Sequence, residues 1–168
     1  MAMVGLFWIA GDGGVYVGAE PEGAGRGVRL TRDGVVGLGA DQGGEWRWAD
    51  LRSVATRYVR IRSAGRLMVT AAVDLALSAV AGGGDSPAAF EVHLETADGA
   101  TVELEAYMAS AVGGHVESEY DLSVALLNRL VDGTADVGPL EDWGRAFAGE
   151  GTPRREEREA LLRKWAEG

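Results

Sequence analysis

The chain predicts an α+β fold, mostly antiparallel strands followed by helices, and three observations predict it. Asp-Gly pairs stand between apolar runs at Asp33-Gly34 and Asp98-Gly99, a short-range signal for hairpins. The runs around them alternate apolar and polar side chains, as half-buried strands do. Toward the C-terminus the period changes to that of an amphipathic helix: Leu122, Leu126 and Leu130 with Leu127 and Val131 make one stripe.

Taken in order, apolar runs at 4–10 and 15–19, separated by Gly11-Asp12-Gly13-Gly14, predict a first hairpin. Residues 21–27 read as a loop. The organising stretch is 28–54. A two-residue loop at Asp33-Gly34 would mix apolar and polar side chains on one face. A three-residue loop, Arg32-Asp33-Gly34, pairs Leu30 with Val36 and Val28 with Leu38 and gives one apolar face. Gly34 would then take the positive-φ position of that loop. A turn at 41–44 leads to a short strand at 45–48 with Trp46 and Trp48 on one face, read first as core packing and alternatively as an aromatic binding patch. Residues 53–62 form a β-rich run. Its arginines, Arg57, Arg60 and Arg62, do not share a face, which suggests a bulge.

The alanine-rich stretch 67–81 reads as a short strand and then a helix ended by Gly82-Gly83-Gly84, with a loop through Pro87. Runs at 90–96 and 101–108 make the second hairpin. A three-residue loop, Ala97-Asp98-Gly99, sets Leu94 against Val102, Val92 against Leu104 and Phe90 against Ala106. The other face then carries Glu95 across from Thr101, His93 across from Glu103 and Glu91 across from Glu105. Opposed glutamates repel, so a cationic neighbour is expected, and the strand of Arg57, Arg60 and Arg62 is the nearest supply. Residues 110–117 read as a loop that exposes His115. Ser118-x-x-Asp121 resembles a capping box before a helix over 120–131, and Gly133 fits the position just past its end. A short helix is expected at 140–147. Thr152 and Pro153 then suit the N-cap and first turn of a last helix whose sticky face is Leu161, Leu162 and Trp165. This divides the chain into a β-rich domain with its capping helix at 1–133 and a helical extension at 134–168.

Composition narrows the function classes. With 46% hydrophobic residues the chain of 168 can bury a core. It has no cysteine, which excludes disulfides, thiolate zinc sites and a cysteine nucleophile. Its first ten residues are apolar, but too few to span a bilayer and without a basic leader, so a soluble, cytoplasmic protein is expected. The net charge of −10 argues against nucleic acid as a partner and makes a membrane partner unlikely on charge. That charge is segregated: residues 45–66 hold six arginines and two acids, whereas 67–121 hold ten acids and no lysine or arginine. Such blocks are expected to meet in space.

Thr31-x-Asp33-Gly34, then Trp48-Ala49-Asp50-Leu51-x-x-Val54, then paired strands and an amphipathic helix, resemble a bacterial pleckstrin-homology-like (PH-like) domain over about residues 15–132. The resemblance implies two sheets packed orthogonally, as a barrel or sandwich with one helix plugging the open end, and the alanine-rich 67–81 would be an insertion. It also implies a scaffold for protein contacts or lipid headgroups, without invariant catalytic residues.

Chemistry-bearing motifs are sparse. No phosphate-binding loop of the G-x-x-x-x-G-K-[ST] type is present, and Gly37-x-Gly39 is followed by Gln42 where the dinucleotide fingerprint needs glycine. His93 beside Glu103 reads as a surface cross-strand pair, with an acid/base role as the enzymatic alternative. The face formed by Glu91, Glu95, Glu103 and Glu105 is the most functional-looking constellation. It is either a solvated face balanced by arginines or a docking surface for a basic protein partner, and too spread out for a calcium site. Leu161, Leu162 and Trp165 either dock on the chain's own domain or meet a partner or second copy. The expectation is therefore a non-enzymatic interaction module without a cofactor, with a small-ligand or lipid-headgroup binder, or an acidic inhibitor, as alternatives.

Overall fold

The computed structural model describes residues 1–62, 88–109 and 115–167. The strand and helix expected within 67–81, and the loop following it to Pro87, lie outside the described residues. The fold is α+β with mostly antiparallel sheets. Six strands form one meander: β1 (Ala2–Val4), β2 (Phe7–Ile9), β3 (Val15–Val17), β4 (Gly27–Leu30), β5 (Gly34–Leu38) and β6 (Gly44–Arg47), hydrogen-bonded in chain order. A 3-10 turn at Trp48–Asp50 leads to β7 (Leu51–Arg57), which joins β9 (Ala89–Thr96) and β10 (Thr101–Tyr107) in a second sheet of order β10-β9-β7. β8 (Ile61–Arg62) pairs in parallel with β11 (His115–Val116). None of the three sheets closes into a barrel. Three helices follow: α1 (Glu117–Val131), α2 (Gly138–Phe147) and α3 (Arg155–Glu167). None of these helices is long and apolar enough to cross a membrane.

The second hairpin forms in the expected register. Leu94 faces Val102, Val92 faces Leu104 and Phe90 faces Ala106. Gly99 closes its three-residue loop at φ +88°, with the Thr96 N–H donating to Ala100 O at 2.9 Å. The core-facing residues Phe90, Val92, Leu94, Leu104 and Ala106 are all buried.

The first major hairpin corrects the expectation. Leu30 pairs with Val35 and Val28 with Gly37, so the loop is the two residues Arg32-Asp33. Thr31 closes it: its N–H donates to Gly34 O at 2.9 Å, and its hydroxyl oxygen accepts from the Gly34 N–H at 3.1 Å. Gly34 is a strand residue, because the meander continues to β6, and a Cβ there would overlap the Trp46 carbonyl. Side-chain facing within two strands misses this third strand. The N-terminal run is likewise two strands, β1 and β2, paired Val4 to Phe7; Gly5 turns the chain between them at φ +62°. The arginine-bearing run departs from the sheet differently than expected: the register shift of β7 lies earlier, between Leu51 and Ser53, and past Arg57 the chain leaves the sheet, with Tyr58 at φ +62°.

Helix ends differ from their expected caps. α1 starts at Glu117, with no side-chain cap at Val116, and Ser118 lies inside it and donates to Glu159 Oε1 on α3 at 2.7 Å. Its C-terminus is as expected. Gly133, at φ +72°, donates to Leu130 O, and Thr134 donates to Arg129 O, the paired bonds of a Schellman motif. Thr152 does not cap α3; its hydroxyl accepts from Met3 N–H at 3.1 Å, covering the edge strand β1. The cap is Arg154, whose N–H donates to Glu157 Oε2 at 3.2 Å and whose carbonyl accepts from Arg158.

One hydrophobic cluster runs through the molecule. It joins Val4, Phe7, Val15 and Val28 of the meander, Val54, Phe90 and Leu104 of the second sheet, and Leu126, Leu140, Leu162 and Trp165 of the helices. The helical residues after 133 belong to the same core as the strands. The sheets meet where Ala19 N–H donates to Tyr107 O at 2.7 Å and where the Gln42 amide both donates to Glu105 O and accepts from Glu105 N–H. Gln42 thereby occupies the place of a neighbouring strand at the β10 edge.

Candidate functional site

Two surfaces carry the side chains singled out in the sequence. The first is the outer face of β7, β9 and β10. Directly opposed residues share a face, so the register builds three rows: Arg57–Glu91–Glu105, Ala55–His93–Glu103 and Ser53–Glu95–Thr101. The basic strand therefore does lie beside the acidic hairpin, with Arg57 across from Glu91. Two of the glutamates hold arginines that were not expected. Arg52 bonds Glu95 at 3.0 Å. Arg26 bridges Glu105, at 3.1 Å, and Asp41. Arg60 precedes β8 and Arg62 lies in it, and β8 pairs with β11 rather than with β9 or β10.

His93 is buried, contrary to a surface pair, and its main partner is Glu91 rather than Glu103: Nε2 lies 2.7 Å from Glu91 Oε2, and Nδ1 lies 3.7 Å from Glu103 Oε1. Glu91, Glu103, Glu105, Arg26, Asp41 and Gln42 line a shallow depression of about 240 Å³. The Arg26 guanidinium holds the Asp41 carboxyl below its ordinary range. The Tyr107 phenol, which donates to Glu105 at 3.0 Å, is pushed up by that bond. The face stays acidic, with five carboxylates against Arg26, Arg52 and Arg57, and Glu103 is the most exposed of them at 67%. No group of three or more His, Asp or Glu among the described residues is arranged to hold a metal ion.

His115, expected in an exposed loop, is a buried residue of β11, just ahead of α1. Its Nε2 finds no hydrogen-bond partner among the described residues. Burial pushes its pKa down from the ordinary 6.5, opposed more weakly by the Glu119 charge and the Gly5 backbone.

The second surface lies between α2 and α3. Of the three sticky residues, Leu162 and Trp165 turn inward and are buried. α3 docks on α1, fixed by Arg158, whose Nε and one terminal nitrogen donate to the two Glu119 carboxylate oxygens at 3.0 and 2.6 Å. Leu161 points instead into an open groove of about 570 Å³, which it lines with Trp143, Phe147, Pro153 and Ala160. Its aromatic wall is continuous. Trp143 stacks edge-on to Trp165 at 6.0 Å and tilts against Phe147 at 6.3 Å. Phe147 is 49% exposed. Arg154, Glu157 and Lys164 stand on the rim.

Sequence reasoning missed Trp143 and Phe147, although their spacing of four on a helix places them on one face. It also grouped Leu161 with Leu162, although adjacent helical residues point about 100° apart. Arg26, Asp41 and Gln42 left no signal, because their role comes only from the meeting of two sheets. Comparison with family models, with curated proteins and with solved structures returned no match.

Proposed function

We propose that this chain is a non-enzymatic interaction module on a PH-like scaffold, and that it receives a protein partner in the groove between α2 and α3. The observation that carries this reading is the exposed aromatic concavity itself. Phe147 and the half-buried Trp143 and Leu161 leave apolar surface in water within a recess wide enough for side chains of a partner. Anchors of this kind, aromatic residues in a recess with a charged rim, supply most of the binding energy at protein interfaces.

A second reading rests on the β9–β10 face, where Glu103 and its neighbours leave an acidic surface for a basic partner. It is favoured less, since Glu95 and Glu105 already hold arginines and Glu91 holds His93.

Affinity capture from the native cell separates the two. F147D/L161D should lose the captured partner, and E103K should keep it. Retention by the groove variant together with loss by E103K would transfer the function to the acidic face.

A further inference from the structure

The partner that fits this groove is a second copy of the chain. We infer that two protomers associate through α3 against α3 in antiparallel orientation about a two-fold axis. The inference rests on the groove as the interaction site and names its occupant.

The argument is the order of residues along the groove-facing stripe of α3. Glu157, Ala160, Leu161 and Lys164 all line the groove, at the spacing of three and four that puts helical residues on one face. The stripe begins with an acid, ends with a base, and has small and apolar residues between. Turned end for end against itself about a point between Ala160 and Leu161, it brings Glu157 opposite Lys164 of the second copy, and Lys164 opposite Glu157. Both ion pairs form at once, because a two-fold interface uses each contact twice. A parallel pairing would oppose like charges at both ends.

Neither charge is engaged in an ion pair within its own protomer among the described residues. Glu157 bonds only the Arg154 backbone, whereas the arginines Arg155 and Arg163 on other sides of α3 pair with Glu159. Ala160 is small and exposed at the centre, which lets helices approach to the 8–10 Å of ordinary packing. Phe147 and Trp143 of α2 then flank the incoming helix on each side of the axis, covering the apolar surface left open in one protomer.

The test is sedimentation of the full chain at low ionic strength over a range of micromolar concentrations, for wild type, E157K, K164E and E157K/K164E. Wild type should dimerise. Each single reversal should raise the dimer dissociation constant at least about tenfold, since it replaces two attractions by two repulsions. The double reversal should restore it to within about threefold, because it rebuilds both pairs with the signs exchanged. Thermal unfolding of each variant confirms that the protomer stays folded. The absence of native cysteine allows a second readout. Oxidation should cross-link A160C, near the axis, and leave R163C, on another side of α3, uncross-linked. A wild type that remains monomeric and an A160C that does not cross-link would overturn the inference, as would a double reversal that fails to recover dimerisation. The groove reading survives those results if F147D/L161D still loses its captured partner, and fails separately if it does not.

Discussion

Gly34 occupies a position where a side chain would run into its neighbour. A Cβ built there overlaps Trp46 O and sits 2.7 Å from Trp46 C, backbone that cannot move without parting β5 from β6. G34A should therefore lose about 3 kcal/mol in chemical denaturation, the upper range for forced overpacking. Gly149 is the control: nothing lies within 4 Å of its Cβ position and its φ is not positive. G149A should change stability by less than about 1 kcal/mol, in the stabilising direction. His115 gives a pH dependence with a definite sign. Its native pKa lies below 6.5 because burial disfavours the charged ring, and Glu119 opposes this only in part. The unfolded chain thus takes up the proton first as pH falls. This residue's contribution is constant above about pH 6.5 and declines from there down to its native pKa. In urea unfolding at pH 7.5 and 5.5, H115F should lose less stability between the two conditions than wild type. An equal or larger loss in the variant would show that the ring is not held neutral.

Between elements, the closest electrostatic joint is Arg158 of α3 against Glu119 of α1. Glu119 is almost fully buried, and Arg158 reaches it with two nitrogens while donating a third bond to Pro153 O. Removing one partner of such a pair strands the other charge in the interior, at about 3–5 kcal/mol. R158A should be destabilised by that amount, and R158A/E119Q by less, which a double-mutant cycle would measure. At this scale the sequence was legible wherever one hairpin settles its own register. The β9–β10 hairpin has apolar residues at every alternate position on both strands, so a slip by one residue would bury glutamates. The β4–β5 hairpin gave a wrong loop because the winning term is outside it: β6 demands a glycine in the strand at 34, and Thr31 closes a tighter turn.

Across the whole molecule, the helices after residue 133 are part of the core rather than an appendage. Leu162 and Trp165 are buried in the core they share with the strands and α1, and Trp143 links α2 to Trp165. W165A should cost about 3–5 kcal/mol. Ending the chain at Gly151 should abolish cooperative thermal unfolding instead of leaving a folded β-domain, and a truncated chain that melts sharply would refute this. The sequence by itself determined the α+β class, the strand-then-helix order, the β9–β10 register and the Schellman end of α1, since each depends on alternation, helical period or turn chemistry within a short window. Only the tertiary structure decided that Arg26 and Arg52, rather than Arg60, meet the acidic hairpin, that His93 and His115 are buried, and that Leu161 parts from Leu162 to line a groove with Phe147. Those facts depend on which distant surfaces touch, and contacts between residues far apart in the chain leave no period to read.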